Sequence, residues 1–137
     1  MKNVVYTNSS AETIKLGEEF SKKIKNGGII LLYGELGAGK TTFVQGLARG
    51  LGIKRRIISP TFIIIRTYKD EKFYHIDLYR VEKETDMETL GIKEILKDSK
   101  NVIAIEWPEK IEKLIPKNRA IINFQYLDEN KRRITYG

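Results

Sequence analysis

Leu16, Phe20 and Ile24 recur every fourth residue, the spacing of one helix face, and predict an amphipathic helix over residues 10 to 25. Ser9 stands at the position of its N-cap, with Glu12 at capping-box spacing, and Asn26-Gly27-Gly28 stops it. Ile29 to Tyr33 is apolar at every position, as a strand covered on both faces requires. A glycine-rich turn follows, then a helix from about Lys40 to Leu51, ended by Gly52. Ile57-Ile58 reads as a short strand before a Ser59-Pro60 break. Thr61 to Tyr68 and Phe73 to Tyr79 are rich in β-branched and aromatic residues. The polar Lys69-Asp70-Glu71-Lys72 separates them, which predicts a hairpin. Residues 82 to 97 are helical with an interruption at Gly91, and Val102 to Glu106 is a second apolar strand. Pro108 can open a short helix, and Ala120 to Leu127 with Arg132 to Tyr136 make a terminal hairpin. Such an order of elements predicts a three-layer α/β domain whose sheet is mixed and partly antiparallel.

At 137 residues the chain fits one domain, residues 1 to 137, large enough to bury its own core. It has no cysteine and one histidine, which excludes a disulfide framework, a thiolate nucleophile and a zinc site of His and Cys. No apolar run approaches the length of a membrane span, and Met1 to Tyr6 is unlike a signal peptide, so a cytoplasmic location without membrane contact is expected. A net charge of +7 raises an anionic partner such as tRNA. The lysines are scattered, however, and a solvated surface explains them equally well. Only Lys54-Arg55-Arg56 and Lys131-Arg132-Arg133 are true clusters, the candidates for contact with tRNA or an acidic protein face.

The chemistry is concentrated in Gly34-Glu35-Leu36-Gly37-Ala38-Gly39-Lys40-Thr41, which satisfies G-x-x-x-x-G-K-[ST] and lies between an apolar strand and a helix. That context aims backbone N–H groups at a phosphate, and glycine lets the main chain close around it. Lys40, expected on a surface loop, would reach the terminal phosphates, and the Thr41 hydroxyl would ligate Mg²⁺. Magnesium also wants carboxylates at nearby strand ends. Asp77 and Glu106 are the candidates. A two-residue period sets Tyr74, Ile76 and Leu78 on a core face and gathers His75, Asp77 and Tyr79 on the other. Glu106 closes an apolar strand in the manner of a Walker B acid, either as metal ligand or as the group that orients water. Thr61, in a small polar turn, either senses the γ-phosphate or simply turns the chain. Trp107, beside Glu106, either stacks near the nucleotide or packs as a partly buried aromatic.

With these segments located, the chain resembles the TsaE (YjeE) family of bacterial tRNA-modification ATPases. The resemblance rests on Leu16-Gly17-Glu18, the loop from Gly34 through Thr42-Phe43, Ser59-Pro60-Thr61-Phe62, His75-Ile76-Asp77-Leu78-Tyr79-Arg80 and Ile105-Glu106-Trp107-Pro108-Glu109. Glu35 stands where the family often has Asp. The likeness implies a P-loop NTPase fold and an ATPase needed to make N6-threonylcarbamoyladenosine at position 37 of tRNAs reading ANN codons. It further implies ATP and Mg²⁺ as cofactors and the TsaB–TsaD heterodimer as partner, TsaD transferring the threonylcarbamoyl group. Thr41 and Glu106 would hold Mg²⁺, with Asp77 near the metal, Thr61 in a switch-like loop, and Ser9 and Arg132 at the nucleotide's other end.

A GTPase is disfavoured by the absence of D-x-x-G and of an Asn-Lys-x-Asp segment. A small-molecule kinase would need an arginine-bearing lid, for which little chain is available. A nucleotide-gated binding module that turns over only beside its partner is the second alternative, since no arginine is an evident finger in cis.

Overall fold

The computed structural model describes residues 2–54, 65–68, 70, 72–81 and 91–137. Ten elements occur there: β1 (Asn3–Thr7), α1 (Ser10–Ile24), β2 (Gly28–Tyr33), α2 (Lys40–Gly50), β3 (Ile65–Tyr68), β4 (Phe73–Asp77), α3 (Ile92–Lys97), β5 (Val102–Glu106), β6 (Ala120–Tyr126) and β7 (Arg132–Tyr136). The strands form one sheet in the order β1-β7-β6-β2-β5-β4-β3. β2 pairs in parallel with both β5 and β6, and β4 with β5. The β3–β4, β6–β7 and β1–β7 pairs are antiparallel. The sheet is therefore parallel at its centre and antiparallel towards both edges, as its hairpins require.

Every residue of β5 is buried, and so is the middle of β2, because both strands are covered on two sides. On one face Ile30, Leu32, Ala104, Ile122 and Phe124 meet Phe20 and Ile24 of α1 and Phe43, Val44 and Leu47 of α2. On the other, Ile29, Leu31, Ile103, Ile105 and Ile76 meet Ile92 and Leu96 of α3 with Ile111 and Ile115. These are the three layers that the sequence predicts. α1 opens as expected, Ser9 Oγ accepting the Glu12 N–H at 3.2 Å.

Four differences from the sequence reading have local causes. β1 went unpredicted: it is a short edge strand with most positions exposed, so it carries no core-facing alternation. β4 stops at Asp77 rather than Tyr79, because Asp77 Oδ1 accepts the Tyr79 N–H at 2.9 Å and turns the chain. The helix opened by Pro108 is a single 3₁₀ turn, Pro108–Lys110, followed by another at Glu112–Leu114. Fourthly, Lys40 begins α2 as expected but is 4% exposed instead of riding on the surface. The Ile57-Ile58 strand, the Ser59-Pro60 break, Thr61 and the expected helix before Gly91 lie outside the described residues.

Candidate active site

β2, β4 and β5 run parallel, so their carboxyl ends open at one edge of the sheet, and the loop from β2 to α2 crosses that edge. The turn is possible because Gly37 and Gly39 take φ of +79° and +102°, which residues with a Cβ rarely adopt. A Cβ on Gly37 would meet nothing within 4 Å, so its neighbours do not demand glycine there; the space above it is the cleft itself. Within the loop, Ala38 N–H is used on Glu35 O and Phe43 N–H on Gly39 O. Among the described residues, the Gly37, Gly39, Lys40 and Thr41 amides make no such bond, and Lys40 and Thr41 start a helix whose dipole favours an anion.

The cleft has a volume of about 180 Å³ and is lined by Leu36, Gly37, Gly39, Lys40, Thr41, Thr42, Asp77, Glu106, Trp107 and Arg132. Glu35 and Ala38 shape the loop through their mutual backbone bond, and Ala38 is buried in the core. Lys40 Nζ donates to Gly34 O and lies 4.1 Å from the centroid of the Trp107 ring. Burial pushes its ammonium below the usual lysine range, with Glu106 and Asp77 pulling the other way. Trp107 has a left-handed φ of +60°, a costly conformation for a bulky residue, and its ring packs on Tyr79 with centroids 5.0 Å apart. Of the two roles left open for Trp107, packing is thus observed, and its ring also lines the cleft.

Asp77 and Glu106 are register partners on adjacent strands, both nearly buried. Glu106 Oε2 lies 2.6 Å from His75 Nε2 and 3.4 Å from the donating Thr41 hydroxyl. His75 thus serves Glu106 rather than Asp77, a pairing that strand parity alone does not reveal. Burial raises the Asp77 carboxyl above its ordinary value, the Tyr79 N–H opposes this, and the Glu106 charge adds to it. Ionised Asp77 therefore costs stability in full above its raised value, and the cost disappears as pH falls to about 3.8. Asp77→Asn is expected to stabilise the protein at neutral pH by about 0.5–2 kcal/mol while weakening Mg²⁺-dependent nucleotide binding. Thermal unfolding of both proteins from pH 7 down to 4 checks this, since the gap should close on acidification; a constant gap would assign it to another cause.

Beside the cleft lies a small polar pocket lined by Ser9, Thr13, Gly39, Thr42, Asn130 and Arg132, among others. The Ser9 hydroxyl there is already engaged as the α1 cap. Arg132, from the basic cluster Lys131-Arg132-Arg133, ties the β6–β7 turn to the loop. Its guanidinium donates to Gly37 O at 3.1 Å and to Asp128 and Lys131 carbonyls, and rests 4.7 Å from the Tyr126 ring centroid. A Thr hydroxyl and two carboxylates are hard oxygen donors that suit Mg²⁺. Among the described residues no cluster of three or more His, Asp or Glu could hold a metal by itself. That combination fits an ion that arrives with phosphates and keeps several waters. No helix among the described residues is long and apolar enough to cross a membrane.

The model of a family described as "Threonylcarbamoyl adenosine biosynthesis protein TsaE" matches residues 7–134. The chain is 43% identical to the tRNA threonylcarbamoyladenosine biosynthesis protein TsaE of Bacillus subtilis over 114 residues, 82% of this chain and 70% of the relative. It is 41% identical to the protein of the same name in Rickettsia felis over 128 residues, 91% of this chain and 74% of the relative. The crystal structure of Bacillus subtilis YdiB superimposes with a TM-score of 0.82 at 32% identity, covering 99% of this chain and 84% of YdiB. A match over nearly all of the chain, on a fold with the same three layers, makes it a member of the TsaE family of threonylcarbamoyladenosine biosynthesis proteins.

Proposed function

We propose that this protein binds ATP with Mg²⁺ and hydrolyses it as an accessory ATPase in the formation of N6-threonylcarbamoyladenosine at position 37 of tRNA, acting with TsaB–TsaD. The observation that carries this reading is one cleft in which free loop amides, Lys40, Thr41 and two carboxylates converge. The amides of Gly37, Gly39, Lys40 and Thr41 would cradle a phosphate, and Lys40, which donates to the Gly34 carbonyl beside the Trp107 face, would turn to phosphate oxygens. Thr41, Glu106 and Asp77 would hold the magnesium. Held there, it would supply neutralising charge to the phosphates. Glu106, hydrogen-bonded to His75, would ligate the ion or orient water. Leu36, Thr42 and Trp107 wall the cleft, and the pocket bearing Ser9 and Arg132 takes the nucleotide's other end.

One observation favours a partner-dependent version of this activity. Among the described residues Arg132 is the arginine that lines the cleft, and both its terminal nitrogens donate to loop and turn carbonyls. A finger supplied from outside would then set the rate, as in other P-loop NTPases. ATP hydrolysis should be slow for the protein alone and rise at least about tenfold with TsaB–TsaD. The assay is run alone, with TsaB–TsaD and with tRNA added, following inorganic phosphate. No phosphate under any condition, with nucleotide still bound, would leave a nucleotide-gated binding module; phosphate on an organic acceptor would make the protein a kinase.

A further inference from the structure

His75 lies in the interior with no exposed surface, yet its one hydrogen bond among the described residues goes to a carboxylate of the cleft. We propose that His75 is the positioning residue for Glu106, its Nε2–H fixing the rotamer that keeps Oε2 facing Thr41 and the cleft. The proposal rests on the reading of Glu106 as a carboxylate that faces the metal. Three observations carry it.

The first is steric. β4 and β5 pair His75 with Ala104 and Asp77 with Glu106, so His75 must lean along the strand to reach Glu106. Ala104, wholly buried and only a methyl group, leaves room for it. The second is energetic. The Glu106 side chain is 4% exposed, and a buried carboxylate without a donor pays a large desolvation cost. The Thr41 hydroxyl, at 3.4 Å, is too long to hold it alone. The third is the far side of the ring. Nδ1 is buried with no partner among the described residues, and so is Nε of Arg66, which sits opposite His75 on β3. A proton on Nδ1 would be an orphaned donor, the rarer kind of unsatisfied group, so the proton that does work belongs on Nε2. Donating from there, His75 occupies one lone pair of Oε2, the oxygen that also accepts from the Thr41 hydroxyl.

Two substitutions separate positioning from bulk. The amide nitrogen of glutamine falls near the place of Nε2, that of asparagine near Nδ1. His75→Asn is expected to lower Mg²⁺-dependent affinity for a non-hydrolysable ATP analogue by about 10- to 100-fold. Affinity measured in EDTA should stay unchanged, and His75→Gln should recover most of the loss. Equal losses in the two variants, or equal losses with and without metal, would overturn the proposal. A second readout needs neither nucleotide nor metal. His75 is the chain's only histidine, so imidazole ¹⁵N resonances of the unsubstituted protein are unambiguous. They should show Nε2 protonated and Nδ1 not, with the Nε2 signal displaced by Glu106→Gln. A ring protonated on Nδ1 alone would overturn the proposal outright. Absence of any Mg²⁺ effect in the unsubstituted protein would instead count against the proposed function, with the imidazole spectrum still deciding the hydrogen bond.

Discussion

Lys40→Met is expected to weaken binding of a non-hydrolysable ATP analogue by roughly 30-fold to several-thousand-fold, the equivalent of about 2–5 kcal/mol, with the fold intact. The affinity loss follows from removing the cleft's buried cation, which has no substitute: Arg132, the other cation lining it, is spent on Gly37, Asp128 and Lys131 carbonyls. The retained fold follows from the state of that cation before nucleotide arrives. Its ammonium is desolvated, rests on Gly34 O and the Trp107 ring, and is shifted towards the neutral form by burial in spite of Glu106 and Asp77. Methionine keeps the length of the side chain and sheds the desolvated charge, which offsets the lost hydrogen bond of about 1 kcal/mol. Calorimetric titration and thermal unfolding on the same samples check both halves. Unchanged affinity would remove Lys40 from the site; an unfolded variant would mean that the Gly34 bond holds the loop.

Gly46→Ala is expected to destabilise the protein by about 2–3 kcal/mol, lowering Tm by roughly 6–15 °C. Alanine would raise intrinsic helix propensity by about 1 kcal/mol, so the sign is decided by packing. A Cβ on Gly46 would stand 1.9 Å from Ile14 O, and one on Gly17 of the facing helix 2.3 Å from Phe43 O. Both obstacles are backbone, which no rotamer change can clear. α1 must therefore lift from α2, and Phe20 and Ile24 would leave the core they share with Phe43 and Leu47. Because α2 begins at Lys40, nucleotide binding should fall with stability rather than survive it. A Tm unchanged by the substitution would show that the helices separate freely.

The parts legible in the sequence are those with strong local periodicity. The four-residue repeat of Leu16, Phe20 and Ile24 became α1, and the unbroken apolar runs became β2 and β5, the strands buried on both faces. The loop was legible because its glycines and Lys40-Thr41 have to be contiguous to wrap one anion. β1 was illegible because an exposed edge strand needs no hydrophobic pattern; the β7 ladder holds it instead. The convergence of Asp77 with Glu106 depends on β4 and β5 lying side by side, a fact of topology, although strand ends hinted at it. His75 and Arg132 act through contacts distant in the chain, Glu106 for the one and Gly37 for the other, and no local spacing could announce either.

The position of β2 has a consequence for biosynthesis. Its two neighbours in the sheet, β5 and β6, are both translated long after it, and Arg132 follows them. On the ribosome, Ile29 to Leu32 thus emerges as a bare apolar segment with no ladder to join, and closing those distant pairings is entropically slow. A nascent chain therefore lacks the neighbours that frame the cradle until β5, β6 and Arg132 have all emerged.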